Sequence, residues 1–109
     1  MNTSLTALAR EQLELAVAAS SGRSGHTVFG GQEHKLRQTV IALASGRKLD
    51  EHNNPGDSTV HVLHGRVRLA SGDTTWDGAA GHLIGVPDAP HSLEALEDSV
   101  VLLTVVNRP

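Results

Sequence analysis

Two stretches of this chain set a histidine beside turn-forming residues and a β-rich run. They are His52-Asn53-Asn54-Pro55-Gly56-Asp57-Ser58 and Val86-Pro87-Asp88-Ala89-Pro90-His91. An imidazole can ligate a metal, exchange a proton or anchor a polar ligand near neutral pH. If the two runs lie side by side in a small barrel, His52 and His91 face one cavity and form a ligand pair or an acid–base pair. The bland alternative is a histidine pair satisfied by hydrogen bonds. Asp50, Glu51 and Asp57 flank the first run and could add a carboxylate, although a solvated loop face is the simpler reading of them.

His26, His34, His61, His64 and His82 bring the histidine count to seven, more than one metal site employs. Most must therefore be structural or surface groups. His82 stands beside Gly81 in a turn. Strict alternation places His64 on one face with Ser58, Val60 and Val62, and His61 on the other. His64 stands six residues beyond Ser58, roughly 20 Å along a strand, too far to share a metal with it. His26 and His34 are not assigned by pattern, and either could reach the cavity mouth.

The elements that must position the pair begin with a helix. Leu5, Leu8, Leu15, Ala16 and Ala19 recur at helical spacing from Ser4 to Ser20, with Ser4 as N-cap and Gly22 suited to a left-handed cap. Its mixed charges, Arg10 with Glu11 and Glu14, suit packing on the domain or on a twin subunit rather than a membrane. From His26 the period becomes that of strands: 26–29, 36–44, 48–52, 58–64, 66–70, 74–76, 83–86, 91–96 and 99–106. Pro55-Gly56 suits a type II turn and Ser71-Gly72-Asp73 a hairpin. The almost wholly apolar Ser99–Val106 run predicts a strand buried on both faces or central in its sheet. Short strands at close spacing without intervening helices predict an antiparallel sandwich or barrel.

At 109 residues the chain supports one core. Aromatics are 2 %, Phe29 and Trp76 alone, so aliphatic side chains must fill that core, with Trp76 as a core or rim packing group. The net charge of −3 offers no attraction to nucleic acid or an anionic membrane. Arg66 and Arg68, alternating with Val67 and Leu69, read as a solvated strand face. The absence of cysteine removes disulfides and thiolate metal sites. With neither a signal-peptide pattern nor a membrane-length apolar run, a cytoplasmic protein is expected. The expected division is a helix and linker over 1–25 and a β-domain over 26–109.

With the strands placed, the chain resembles the cupin superfamily over Leu36 to Val106. The first cupin motif, G-x5-H-x-H-x3,4-E-x6-G, is matched in spacing by Gly46, His52 and Gly65. Asn54 stands at the second histidine position and Ser58 at the glutamate. The second motif, G-x5-P-x-G-x2-H-x3-N, is similar to Gly81–His91, with Gly81 and Pro87 in place. Ala89 replaces its inner glycine, His91 comes one residue early, and the final asparagine is not evident. The resemblance implies an all-β domain with one N-terminal α-helix, a double-stranded β-barrel or jelly roll, often dimeric.

In that family three histidines and a glutamate surround a divalent ion such as zinc, iron, nickel or manganese. Carried over by residue, this chain keeps His52 and His91 as metal candidates. Asn54 offers a carbonyl oxygen and Ser58 a neutral hydroxyl. The expected function is that of a small cupin binding a small polar ligand, with a weakly held divalent metal as an option, in a sensing role. Its ligand-binding residues are then His52, His91, Asn54 and Ser58. The alternatives are a metal-dependent enzyme of dioxygenase or isomerase type, and a homodimeric structural module built on the helix and an edge strand. A small-molecule ligand and a second copy of the chain are the expected partners, with no nucleic acid and no membrane.

Overall fold

The almost wholly apolar C-terminal run is the middle strand of the larger sheet, as its composition predicts. The computed structural model describes residues 2–53 and 56–107. These form a helix, α1 (Leu5–Ala18), and nine strands: β1 (Arg23–Phe29), β2 (Leu36–Leu43), β3 (Lys48–His52), β4 (Gly56–His64), β5 (Arg66–Ser71), β6 (Thr74–Ala79), β7 (Leu83–Gly85), β8 (His91–Ala95) and β9 (Ser99–Asn107). One sheet has the order β1-β2-β9-β4-β7 and the other β3-β8-β5-β6. All pairings are antiparallel. This is the expected jelly roll, with its two sheets hydrogen-bonded separately rather than closed into one barrel. No described helix is long and apolar enough to cross a membrane.

Alternation along β9 feeds two cores. Val101 and Leu103 join Leu43, Val60, Val62, Leu69 and Leu93 between the sheets. Val100 and Leu102 point the other way and pack with Val40, Ala42, Leu8 and Ala16 beneath α1. Burial of each such Val or Leu side chain contributes roughly 1.5–3 kcal/mol, and the helix is a third layer on the larger sheet.

The helix keeps its Ser4 cap, whose Oγ accepts from the Ala7 amide at 3.2 Å, but its buried face differs from the expected one. Leu8, Gln12 and Ala16 are buried, whereas Leu15 is 57 % exposed. A polar residue lies at the centre of the face because Ser24 of β1 satisfies it. The Ser24 hydroxyl lies 2.7 Å from both the Gln12 carbonyl oxygen and Oε1. The first strand accordingly starts at Arg23, three residues before the patterned run.

The strand β6 also outruns expectation, through Asp77-Gly78-Ala79. Small residues serve there because the strand crosses close to the core: a Cβ on Gly78 would lie 3.0 Å from Ile84 Cδ1. Asp77 answers Arg68 across the β5–β6 pair at 2.7 Å, and that hydrogen-bonded guanidinium holds its carboxyl below the ordinary value. Trp76, opposite Leu69 on this edge strand, is 38 % exposed.

Between β4 and β5 a single glycine makes the turn. Gly65 has φ +81, and a Cβ there would meet Asp98 O and Ser99 Oγ within van der Waals radii. Ser99 Oγ in turn accepts from the Arg66 amide at 3.0 Å. Gly65→Ala should therefore lose at least about 1–2 kcal/mol from backbone conformation alone, lowering Tm by roughly 4–8 °C per kcal/mol. Gly72→Ala, also at positive φ but facing open space, should lose less in the same thermal melts. Equal losses would show that the contact with Asp98 and Ser99 does not constrain the turn.

Candidate functional site

The two histidines come together through a register defect. Leu49 of β3 pairs with Leu93 of β8, and His52 pairs with His91, so β3 carries one extra residue between the two pairs. Without that bulge, alternation from the inward Leu49 would set Glu51 opposite His91 and turn His52 outward. A bulge re-aims one side chain, as is common beside functional sites. The strand β8 alternates regularly, with His91, Leu93 and Ala95 buried. The approach to His91 is tied down by Ser71 Oγ, which donates to the Pro90 carbonyl at 2.8 Å.

The imidazole rings lie 4.7 Å apart, centroid to centroid, inclined at 57°. His91 is buried, 3 % exposed, and His52 is exposed. Each ring is oriented by its own strand: His52 Nδ1 lies 2.9 Å from the Asp50 carbonyl oxygen, and His91 Nδ1 lies 2.9 Å from that of Ala89. A carbonyl oxygen only accepts, so each Nδ1 carries the proton and donates. In a neutral ring the unprotonated nitrogen is then Nε2. This is the outer hydrogen bond that orients histidines in metal and ligand sites.

Both rings line a cavity between the sheets that is otherwise aliphatic, with Ile41, Leu49, Val60 and Leu93 among its walls. Its volume is about 20 Å³, space for about one water molecule. Ser58 is buried on the inward face of β4 but does not line this cavity. Asn54 lies outside the described residues, as does Pro55 of the expected turn. Asp50, Glu51 and Asp57 are exposed. Among the described residues no three His, Cys, Asp or Glu side chains gather as a metal set. A catalytic zinc centre uses three protein ligands, so this donor pair does not fit a resident metal of that kind.

The remaining histidines stand apart from the cavity. His26 and His34 are exposed, the latter against Phe29 with ring centroids 5.2 Å apart. His82 caps its own turn, accepting from the Ala79 amide at 3.0 Å. His64 corrects the alternation argument. A bulge between Val62 and His64 breaks the inward series, and His64 with Leu63 lines a groove beside α1 on the outer side. That groove had no counterpart in the sequence reading. Its signal was a second apolar stripe on the helix, Ala9, Leu13 and Val17, at spacings of four.

No family profile and no curated protein sequence matches the chain. Solved structures do. A conserved protein of unknown function from Streptococcus pyogenes is 30 % identical, with TM-score 0.75 over 84 % of this chain and 79 % of that one. A cupin superfamily protein from Desulfitobacterium hafniense is 15 % identical, with TM-score 0.76 over 88 % and 87 %. A cupin-2 domain protein from Shewanella frigidimarina is 15 % identical, with TM-score 0.64 over 77 % and 80 %.

The ring hydrogen bonds set a spectroscopic expectation. Long-range proton–nitrogen correlation spectra at alkaline pH should show both His52 and His91 as Nδ1–H tautomers. An Nε2–H signature for either would mean that its backbone carbonyl does not orient the ring.

Proposed function

We propose that this chain, which shares its fold with solved cupin structures, acts as a binding cupin in which His52 and His91 anchor a small polar ligand at the cavity mouth. The observation that carries this reading is the matched pair of Nδ1–carbonyl bonds. They orient two imidazole rings from adjacent strands with Nδ1 of each engaged on the backbone. The complementary guest brings a hydrogen-bond donor, such as a hydroxyl or ammonium group, or is a divalent ion held with water.

The small cavity supports a division of the guest. Space for about one water admits an ion or one polar group, so the rest of a larger ligand lies outside, on the exposed His52 side. Two imidazoles hold an ion such as zinc, iron, nickel or manganese only weakly, because they bring neither a third ligand nor a compensating charge. No reaction step is assigned to such an ion. Reversible occupancy suits a sensing role.

Calorimetric titration of tag-free protein with Ni²⁺ tests the anchor pair. One weak equivalent per chain is expected, with His52→Ala and His91→Gln each weakening it by at least about tenfold. A metabolite screen by thermal shift reads organic guests, since saturation to 100 times Kd stabilises by about 2.7 kcal/mol. Binding indifferent to both substitutions, or no stabilising ion or compound at all, would overturn the proposal.

A further inference from the structure

The inner face of the larger sheet changes character at the level of the histidine pair. Strand β2 pairs with β9 without a break in register from Leu36 to Leu43, so its side chains alternate strictly. Leu43 belongs to the core between the sheets and Ile41 packs against it. The turn after β2 is bonded to Ala95, through Gly46 and Arg47. Leu43 and Ala95 therefore mark one end of the roll, and β2 and β8 run from there to the other. On β8 that direction leads through Leu93 to His91. On the inner face of β2 it leads through Ile41 and Thr39 to Arg37. Thr39 Oγ1 lies 3.4 Å from Thr27 Oγ1 of β1. Arg37 pairs with Val105, and Val105 with the inward Ser58 of β4. Aliphatic side chains thus fill one end, while hydroxyls and a guanidinium stand at the other.

We propose that the guest of this mouth is a small hydroxy acid, its carboxylate held by Arg37 and its hydroxyl by the histidine pair, an assignment that rests on the reading of His52 and His91 as anchors. Three observations favour it. First, Arg37 stands at the right end and on the right face. Ile41 of β2 and Leu49 of β3 line one cavity with both imidazoles, so these strands face each other across it. Packed sheets stand about 10 Å apart. A long arginine stem beyond Thr39 brings its charge over the gap that His52 borders.

Second, no described carboxylate engages that charge. Arg37 is exposed, and the one ion pair among the described residues is Arg68–Asp77. A guanidinium fork matches a carboxylate through two parallel hydrogen bonds. Third, the surroundings select a single negative charge. Asp50 and Glu51 are exposed on β3 beside His52, and they repel a dianion more than a monocarboxylate. The cavity has space for about one water molecule. It admits a hydroxyl and excludes a second charged group, whose burial without a partner is far more costly. A neutral imidazole with Nδ1 donating to the backbone accepts that hydroxyl's proton at Nε2.

Titrations followed through the His52 and His91 ring signals in NMR spectra test the assignment. The probes are lactate and 3-hydroxybutyrate, their neutral counterparts propane-1,2-diol and butane-1,3-diol, inorganic phosphate, and Ni²⁺. Both hydroxy acids should shift the ring signals saturably and bind at least about tenfold more tightly than the diols, as a charge-assisted bond implies. Arg37→Gln should reduce the acids to the level of the diols. Arg66→Gln removes the same charge from an exposed residue of β5 and should retain the preference. Acids and diols bound equally, a preference surviving Arg37→Gln, phosphate bound more tightly than lactate, or rings moved by Ni²⁺ but by neither acid would overturn the hydroxy-acid assignment and leave the histidine anchors standing. Rings unmoved by every probe would overturn both.

Discussion

One strand with two buried faces holds this protein together. Along β9 consecutive side chains enter different cores: Val101 and Leu103 the space between the sheets, Val100 and Leu102 the layer beneath the helix. The strand is bonded on both edges, to β2 and to β4. Its register therefore couples three layers. A slip of one residue would exchange the contents of both cores at once, which is why the run tolerates almost no polar residue.

Against that rigid frame, the placement of the histidines depends on two irregularities. Each is a single extra residue in a strand, and the two act in opposite senses. In β3 the bulge turns His52 inward to meet His91. In β4 the bulge turns His64 out of the inward series and into the outer groove. The first gathers two imidazoles that regular pleating would separate. The second removes a third from the interior. What remains is a pair of rings held by their own backbone carbonyls, above a cavity that aliphatic side chains have almost filled.

The larger opening lies on the other side of the larger sheet. The helix leaves it because its sheet-facing stripe is narrow, Leu8, Gln12 and Ala16, and because Ser24 anchors Gln12 toward the β1 edge. A helix held at that edge cannot also cover β4 and β7. The interior and the exterior grooves thus follow from separate decisions, one by β3 and one by the helix.

Much of the architecture was legible in the residues themselves. Alternation, Gly65 and Gly72, and the apolar final run marked the strands and turns, because those signals act over a few neighbouring residues. The pairing of His52 with His91 was legible through two motifs that place each at a strand end. Pleating alone could not have supplied it, since a bulge is a property of two strands in contact. For the same reason simple alternation misassigned His64, and helical spacing took Leu15 for a core residue that Gln12 replaces. Local pattern determined which segments extend and which coil. Contact between distant segments decided which side chains face inward, because an extra residue or a buried amide is tolerated only when a partner strand satisfies it.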